Sequence, residues 1–240
     1  MSLKDKRIVV IGGSSGIGLA VAEGALREGA RVTVSSSRQA TVDKGLARLK
    51  GAEGAVADVK DEEQLAKLFA RVGNFDHLVY TAGDWGGPRR GPLESLDLKE
   101  ASAIFTVRFW GALAAVKQAK KHLAPNGSIT LTDGMIAHRP TKGSVVATGM
   151  AGGIEHITRA LAVELAPLRV NAVCPGAIHT EIWNAIPEAQ RADRLREMGQ
   201  RVPLKRIGEP GEVAEAYLYL MRAGYTTGQV LYVDGGQSVV

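Results

Sequence analysis

Short runs rich in β-branched residues alternate with longer helical patterns along the whole chain. The predicted strands are Arg7–Ile11, Arg31–Ser35, Gly54–Ala57, His77–Tyr80, Ser128–Thr132, Arg169–Val173 and Val230–Val233. The predicted helices cover residues 16–28, 39–50, 61–72, 97–123, 143–166 and 210–222. Strands that alternate with helices form βαβ units, and their parallel sheet is covered by helices on both faces. The pattern therefore predicts an α/β chain with one doubly wound parallel sheet of about seven strands.

The composition is that of one ordinary globular domain. Of the 240 residues, 45% are hydrophobic and 23% are charged, which excludes disordered, collagen-like and coiled-coil chains. No proline- or serine-rich linker and no internal repeat interrupts the alternation. We therefore expect residues 1–240 to form a single domain, in which the charge-rich segment 181–201 is a helical flap over the carboxyl edge of the sheet.

Charge and apolar runs restrict the partners of the chain. The net charge is +5, but lysines and arginines are mixed with acidic residues, which predicts solvated faces rather than a nucleic-acid groove. No apolar run reaches the about 18 residues of a membrane span, and the N-terminus lacks the apolar stretch of a signal peptide. Cys174 is the only cysteine, in agreement with a reducing compartment. We expect a cytoplasmic protein with no nucleic-acid and no membrane partner.

The residues that could bind a metal are not spaced as metal ligands usually are. The five histidines lie far apart, at positions 77, 122, 138, 156 and 179, and the chain has only one cysteine. The sequence therefore predicts no metal site.

A glycine-rich turn follows the first predicted strand and leads directly into a helix. Its residues are Gly12, Gly13, Ser14, Ser15, Gly16, Ile17 and Gly18. Glycines at 12, 16 and 18 allow a tight turn, approach of the backbone to a pyrophosphate, and close helix–strand packing, while the helix N-terminus faces the anion. The context of strand and helix predicts a Rossmann-type dinucleotide site. The alternative is a merely structural glycine turn.

The end of the second predicted strand indicates which dinucleotide is bound. A carboxylate there would bind a ribose diol and repel a 2′-phosphate, but this chain has Ser35-Ser36-Ser37-Arg38-Gln39. Hydroxyl groups and a guanidinium suit a phosphate, so Ser37 and Arg38 favour NADP(H) over NAD(H). Alternatively, Arg38 only faces solvent at the start of the next helix.

Several further blocks resemble the short-chain dehydrogenase/reductase family over nearly the full length of the chain. They are Ala57-Asp58-Val59, Tyr80-Thr81-Ala82-Gly83, Asn171-Ala172-Val173-Cys174-Pro175-Gly176 with Thr180, and Thr227-Gly228-Gln229-Val230 running to Val233-Asp234-Gly235-Gly236. The resemblance implies that Asp58 and Val59 contact adenine, that Ala82 and Gly83 pass under the ribose, and that Pro175, Gly176, Ile178 and Thr180 hold the nicotinamide. Thr81 replaces the usual asparagine of its block. The resemblance also implies a small-molecule substrate and a homo-oligomer, tetramer or dimer, with the helices at 97–123 and 143–166 at the interface.

The residues that carry the chemistry of that family are replaced here. Aligning the segment Glu155–Glu164 with the family puts Ala147 at the tyrosine position, Ala151 at the lysine position and Gly134 at the serine position. The asparagine position falls on Arg108. A register error does not change this result, because no tyrosine lies between Tyr80 and Tyr217 and no lysine lies between Lys142 and Lys205.

A replacement proton donor must be a titratable group at the same cleft. Asp133 is the nearest in sequence, at the end of a central strand, and burial there would raise its pKa enough to make it an acid. Otherwise, it caps the turn Thr132-Asp133-Gly134. Arg108 is a candidate to hold an anionic substrate group or to replace the asparagine, against an ordinary helix-surface charge. His138, Lys142 and His179 are weaker candidates.

Two classes of function remain open. The first is an NADP(H)-dependent oxidoreductase acting on an unidentified carbonyl or alcohol with an atypical or weakened proton transfer. The second is a catalytically silent relative that binds cofactor as a sensor or as a partner subunit. A lyase-like or dehalogenating relative is a third option. Trp85 in the loop 84–92 suits a substrate wall or a plain surface excursion.

Overall fold

Seven parallel strands form one sheet in the computed structural model, which describes residues 2–83 and 91–240. The strands are β1 (Arg7–Ile11), β2 (Arg31–Ser36), β3 (Glu53–Val56), β4 (Phe75–Tyr80), β5 (Leu123–Thr132), β6 (Arg169–Pro175) and β7 (Val230–Val233). Their order across the sheet is β3-β2-β1-β4-β5-β6-β7, with parallel pairing throughout. The predicted doubly wound, Rossmann-type fold is confirmed.

Eight α-helices connect and cover these strands in the described part of the chain. They are α1 (Gly16–Arg27), α2 (Gln39–Leu46), α3 (Glu62–Val72), α4 (Leu98–Ala101), α5 (Gly111–Ala119), α6 (Val145–Glu164), α7 (Glu188–Gln200) and α8 (Pro210–Arg222). Two of these helices begin at a polar capping residue. Asp61 accepts hydrogen bonds from the first amides of α3, and Glu209 with Glu212 forms a capping box around Pro210 at the start of α8.

The hydrophobic core lies in two layers, one on each face of the sheet. One layer packs the sheet against α3, α5 and α6, and the other packs it against α1 and α8. Val9 belongs to the first layer and its neighbour Val10 to the second, because successive side chains of a strand point to opposite faces. A sheet buried on both faces explains why the strands are continuous apolar runs rather than alternating ones.

The helix predicted over residues 97–123 is wrong as a single element. The structure has α4, a π-helical turn at Thr106–Trp110, and α5, and β5 already begins at Leu123. The Tyr80 hydroxyl donates a hydrogen bond of 2.5 Å to the carbonyl of Val107, inside the π turn. Gly111 follows at a tight contact, where a Cβ would lie 2.7 Å from the same hydroxyl. Packing against β4 therefore breaks the helical pattern at this point.

The charged segment after β6 is helical, as a 3-10 turn at Glu181–Ala185 followed by α7. The Trp183 indole donates to the Ile178 carbonyl at 2.6 Å, and Arg191 Nε donates to the Trp183 carbonyl at 3.1 Å. These bonds tie the segment to the loop after β6, and its role as a substrate flap stays a prediction.

The predicted aromatic loop around Trp85 lies outside the described residues, since 84–90 are not part of them. Among the described helices, none has the length and hydropathy needed to cross a membrane.

Candidate functional site

The strand order reverses between β1 and β4, and in such sheets ligands bind in the crevice beyond the carboxyl ends at that point. The two strand ends are bridged by Thr81, whose amide and hydroxyl both donate to the Ile11 carbonyl, at 2.8 and 3.0 Å. The threonine therefore bridges the strands at the position where the family usually has an asparagine.

The glycine turn lies in this crevice, and two of its glycines are sterically required. At Gly12, whose φ is +84°, a Cβ would lie 2.6 Å from the amide nitrogen of Ala82. At Gly18, a Cβ would lie 2.3 Å from the Thr81 hydroxyl and 2.4 Å from the Gly12 carbonyl oxygen. These contacts press the start of α1 against the ends of β1 and β4.

The N-terminus of α1 fits an anion. Ser15 precedes the helix in extended conformation and makes no side-chain capping bond, and the buried Ser14 hydroxyl has no hydrogen-bond partner within the described ranges. The first amides of a helix have no partners of their own and carry its positive dipole end. The pyrophosphate of a dinucleotide would accept hydrogen bonds from the Ser14 hydroxyl and from the first amides of α1. Gly16 also lies against the loop after β6, because a Cβ there would lie 3.3 Å from Thr180.

The other predicted cofactor residues lie at the same edge of the sheet. Ser37 and Arg38 are exposed after β2, Asp58 and Val59 follow β3, Ala82 and Gly83 follow β4, and Pro175, Gly176 and Ile178 lie at or after the end of β6. Their placement fits a cofactor that spans the edge. The side chain of Val59 is buried against the Gly111 position, and its contact with adenine stays a prediction.

Asp133 follows β5 directly and is almost completely buried. Its exposure is 2%, and its amide donates to the Val173 carbonyl at 2.9 Å, which extends the sheet by one residue. Its carboxyl group faces the carboxyl group of Glu155 on α6. No donor reaches either oxygen of Asp133 with full hydrogen-bond geometry in the described part of the chain. The Gly134 amide and the Cys174 thiol lie close enough to favour the ionised form of Asp133, but burial and Glu155 oppose it more strongly. The two carboxyl groups can bond to each other only by sharing a proton.

Burial and the facing Glu155 carboxyl raise the pKa of Asp133 to about 8. Two carboxylates in contact cannot both ionise without a large electrostatic cost, and the proton stays on the group with fewer stabilising partners. Burial also opposes ionisation of Glu155, but hydrogen bonds from Asp133 and His138 outweigh it, and the pKa of Glu155 is lowered. Asp133 is thus the protonated partner near neutral pH.

Glu155 connects this buried acid to the surface. Its Oε1 is in direct contact with His138 Nε2, and its other oxygen lies 3.9 Å from Arg159. The Tyr232 hydroxyl lies 3.1 Å from the same ring nitrogen of His138, and the two rings meet edge to face. The His138 side chain is 30% exposed, whereas that of Glu155 is 7% exposed. Asp133, Glu155, His138 and Tyr232 thus form a row of polar groups that runs from the interior to solvent.

The fold also places Cys174 beside this row of polar groups. One ligand-type atom each from Asp133, His138, Glu155 and Cys174 lies within 4.8 Å of the others, a grouping that the spacing of histidines in the sequence does not predict. Burial, followed by the charge of Asp133, raises the pKa of the Cys174 thiol. The cysteine is therefore a neutral, buried thiol.

Arg108 lies in the π turn and points across the edge of the sheet. It is half-buried, and a Cβ at Gly83 would lie 2.8 Å from its Nη2, so the guanidinium covers that glycine. The positive charge of Arg108 lowers the pKa of Tyr217, and the negative charge of Asp133 raises it. Arg108 of the π turn and Asp133 after β5 thus both lie near Tyr217.

The three residues that the sequence alignment singled out on α6 and after β5 have apolar or open surroundings. Ala147 and Ala151 are buried in the core on α6, and a Cβ at Gly134 would meet no atom of the described residues within 4 Å. Among the weaker proton-donor candidates, His138 contacts Glu155, which faces Asp133. Lys142 is exposed, and His179 is exposed and lies 3.6 Å from Glu209.

Sequence reasoning missed Glu155 and Tyr232. Glu155 carried a usable signal, because it lies one helical turn beyond Ala151 and two beyond Ala147, on the helix face that the family uses for chemistry. Tyr232 carried none, since its contact with His138 joins β7 to the loop after β5.

We expect Asp133→Asn to change how stability depends on pH. The folded-state pKa of Asp133 is raised from 3.8 to about 8, so the unfolded chain releases the proton first and the wild type loses stability as pH rises through that window. The asparagine variant lacks this loss, which we expect to be on the order of a few kcal/mol. Urea unfolding of both proteins from acidic to alkaline pH measures the difference.

The matched control is Asp76→Asn, at the opposite end of the sheet. Asp76 pairs with Lys6 and with the amide of Arg7, and these contacts outweigh burial and lower its pKa. Its substitution should change stability by a constant amount between roughly pH 5 and 8. An Asp133→Asn difference that is equally constant over this range would contradict the raised pKa.

Comparisons with known proteins identify the family. The family model described as Enoyl-(Acyl carrier protein) reductase matches residues 12–238. The short-chain dehydrogenase/reductase ATR9 of Stachybotrys chlorohalonatus is 37% identical over 98% of each chain. The solved structure of a small-chain dehydrogenase in complex with NADPH superposes with a TM-score of 0.82 at 31% identity, over 99% of this chain and 100% of that chain. For the MalC reductase/Diels-Alderase from Malbranchea aurantiaca, the TM-score is 0.91 at 34% identity, over 99% of this chain and 98% of that chain. This chain therefore belongs to the short-chain dehydrogenase/reductase family.

Proposed function

We propose that this protein is an NADP(H)-dependent oxidoreductase that reduces a carbonyl group and uses Asp133 in place of the family's tyrosine as the proton donor. The observation that carries the proposal is the buried Asp133 carboxyl, which faces Glu155 at the carboxyl end of a central strand. Ala147, Ala151 and Gly134 occupy the positions of the family's tyrosine, lysine and serine. Without them, Asp133 is the best placed acid of the described chain.

Reduction of a carbonyl leaves an alkoxide that must take up a proton. The dinucleotide, when bound, supplies the hydride. A general acid works best when its pKa lies near the operating pH, and the value of about 8 for Asp133 meets this condition. The open space at Gly134, next in the chain, would let a substrate oxygen approach this side of the strand.

Arg108 is proposed to orient the substrate. Its guanidinium lies over Gly83, a residue that by family resemblance passes under the cofactor ribose. A fixed positive charge at this place would bind an anionic substrate group or stabilise the developing negative charge on the carbonyl oxygen. The helical segment 181–201 is proposed to close over the same site.

The choice of NADP(H) rests on Ser37 and Arg38. Both are exposed after β2, where no carboxylate follows the strand, so a 2′-phosphate would meet hydroxyl and guanidinium donors without repulsion. A structural neighbour was solved in complex with NADPH, which supports the same cofactor class.

A catalytically silent protein is the second candidate function. Three alanine or glycine residues replace the family's proton-handling groups, while the glycine turn for the dinucleotide is retained. The name of one relative, a reductase/Diels-Alderase, also joins a reductase to a reaction that is not a reduction. Tight NADPH binding together with no carbonyl reduction would favour this second function.

We expect Asp133→Asn to lower turnover by about 10²-fold or more, because the general acid is lost. The wild-type rate of reduction should fall as pH rises above about 8, where Asp133 loses its proton. Arg108→Ala should lower kcat/KM by roughly 10-fold, the value of a charged hydrogen bond. The measurement is NADPH absorbance with a panel of ketones, α-keto esters and quinones.

Asp76→Asn serves as the control, because its carboxylate lies at the opposite edge and binds Lys6. It should keep the wild-type rate. If turnover is fast and Asp133→Asn leaves it unchanged, Asp133 is not the acid and the proposed mechanism is wrong.

We expect Arg38→Ala to weaken NADPH binding by about 10- to 100-fold and to leave NADH binding nearly unchanged, because only NADPH carries the 2′-phosphate. Fluorescence titration with both dinucleotides gives the two dissociation constants. The control is Arg48→Ala, which removes an exposed arginine paired with Glu23. An equal effect of Arg38→Ala on both dinucleotides would contradict the proposed preference.

A homo-oligomer is proposed to form along α6. Val145, Gly149, Gly152, His156 and Val163 recur at helical spacing on its outer side; Val145 is 60% exposed and Val163 is 82% exposed. A Cβ at Gly149 or Gly152 would meet no atom of another described element within 4 Å, so a second backbone could approach closely there.

We expect Gly152→Arg to dissociate this oligomer, because a long charged side chain would stand in the contact. Light scattering at micromolar concentration should give a multiple of 25.4 kDa for the wild type and a smaller mass for the variant. A monomeric wild type would refute the proposal.

A further inference from the structure

Asp133 has little direct contact with water. Its exposure is 2%, and both carboxyl oxygens are buried. If Asp133 protonates the product, as proposed above, the enzyme needs a route by which a new proton reaches it before the next turnover. The following inference rests on that proposed function.

Within the described residues, Glu155 and His138 connect Asp133 to the surface. Glu155 faces Asp133 and is itself 7% exposed at its side chain, and His138 Nε2 is in direct contact with Glu155 Oε1. His138 is 30% exposed, which is enough for one ring nitrogen to exchange protons with water or buffer. The Tyr232 hydroxyl, 3.1 Å from Nε2, helps to hold the ring in place.

We propose that His138 and Glu155 form a proton relay that returns a proton from solvent to Asp133 after each turnover. In the first step, the O–H bond of Asp133 breaks and its proton forms the hydroxyl of the product. A proton then moves from His138 Nε2 to Glu155, and from Glu155 to Asp133. His138 takes its replacement from water or a buffer acid, so each hydride transferred is matched by one proton from solvent, and no residue of the relay is oxidised or reduced.

Electrostatics gives this relay its direction. Once Asp133 has lost its proton, two carboxylates face each other in a buried site, which draws a proton towards the pair. The groups that face the pair are Arg159 of α6, Cys174 of β6, Tyr217 of α8 and Tyr232 of β7. Burial raises the pKa of the Cys174 thiol and of both tyrosine hydroxyls, so these three groups stay neutral and do not compete as proton carriers.

The test separates the first turnover from later ones. In rapid mixing with excess NADPH and the fastest carbonyl of the panel, the first turnover uses the proton that is already on Asp133. We expect His138→Gln to keep a first turnover at the wild-type rate, followed by a steady state about 10-fold or more slower in dilute buffer. Added imidazole should restore the steady state of His138→Gln, because a small acid can replace the missing ring.

Glu155→Gln gives an independent readout. It removes the carboxyl that keeps Asp133 protonated, so the pH limit of the first turnover should move to lower pH, whereas His138→Gln leaves this limit in place. His122→Gln is the control, because His122 lies before β5 at the opposite edge of the sheet, and it should show neither effect.

The outcomes distinguish the relay from the function on which it rests. If Asp133→Asn leaves the first turnover unchanged, the proposed proton donor is wrong. If Asp133→Asn abolishes the first turnover but His138→Gln shows a normal steady state without imidazole, the relay alone is overturned. Loss of wild-type activity on dialysis against EDTA, with recovery on addition of Zn²⁺, would also overturn the relay, because the same four groups would then be metal ligands.

Discussion

The parallel direction of all seven strands is the constraint on which the site depends. Because every strand runs the same way, each one delivers the residue after its end to one edge of the sheet. The glycine turn after β1, Gly83 after β4, Asp133 after β5 and Pro175 at the end of β6 therefore meet there, although they are far apart in the chain. The close contacts of Gly12 and Gly18 hold the first helix against this edge and leave its N-terminus open to an anion.

A second constraint operates at the centre of the edge, where two carboxyl groups are buried face to face. One of them must keep a proton, and the contacts of Glu155 with His138 and Arg159 decide that Asp133 is the one. The helix α6 supplies Glu155. Burial, together with the facing Glu155 carboxyl, raises the pKa of Asp133.

The strand pattern and the glycine turn could be predicted from the sequence, because buried parallel strands and phosphate-binding turns depend on local patterns of residues. The position of Asp133 after a central strand could be predicted as well, and its catalytic role stays a proposal. The break in the helix at 97–123 could not, since it follows from the contact of the Tyr80 hydroxyl with Val107. The chain from Asp133 to Glu155, His138 and Tyr232 joins separate elements, and only the fold shows that they meet.

The protonation state of Asp133 is the central claim, and infrared spectroscopy measures it without substrate. A protonated carboxyl group has a carbonyl stretching band that an ionised one lacks. The account predicts such a band for the wild type near neutral pH, its loss as pH rises past about 8, and its absence in Asp133→Asn. A wild-type spectrum without this band near neutral pH would show that Asp133 is ionised and would contradict the account.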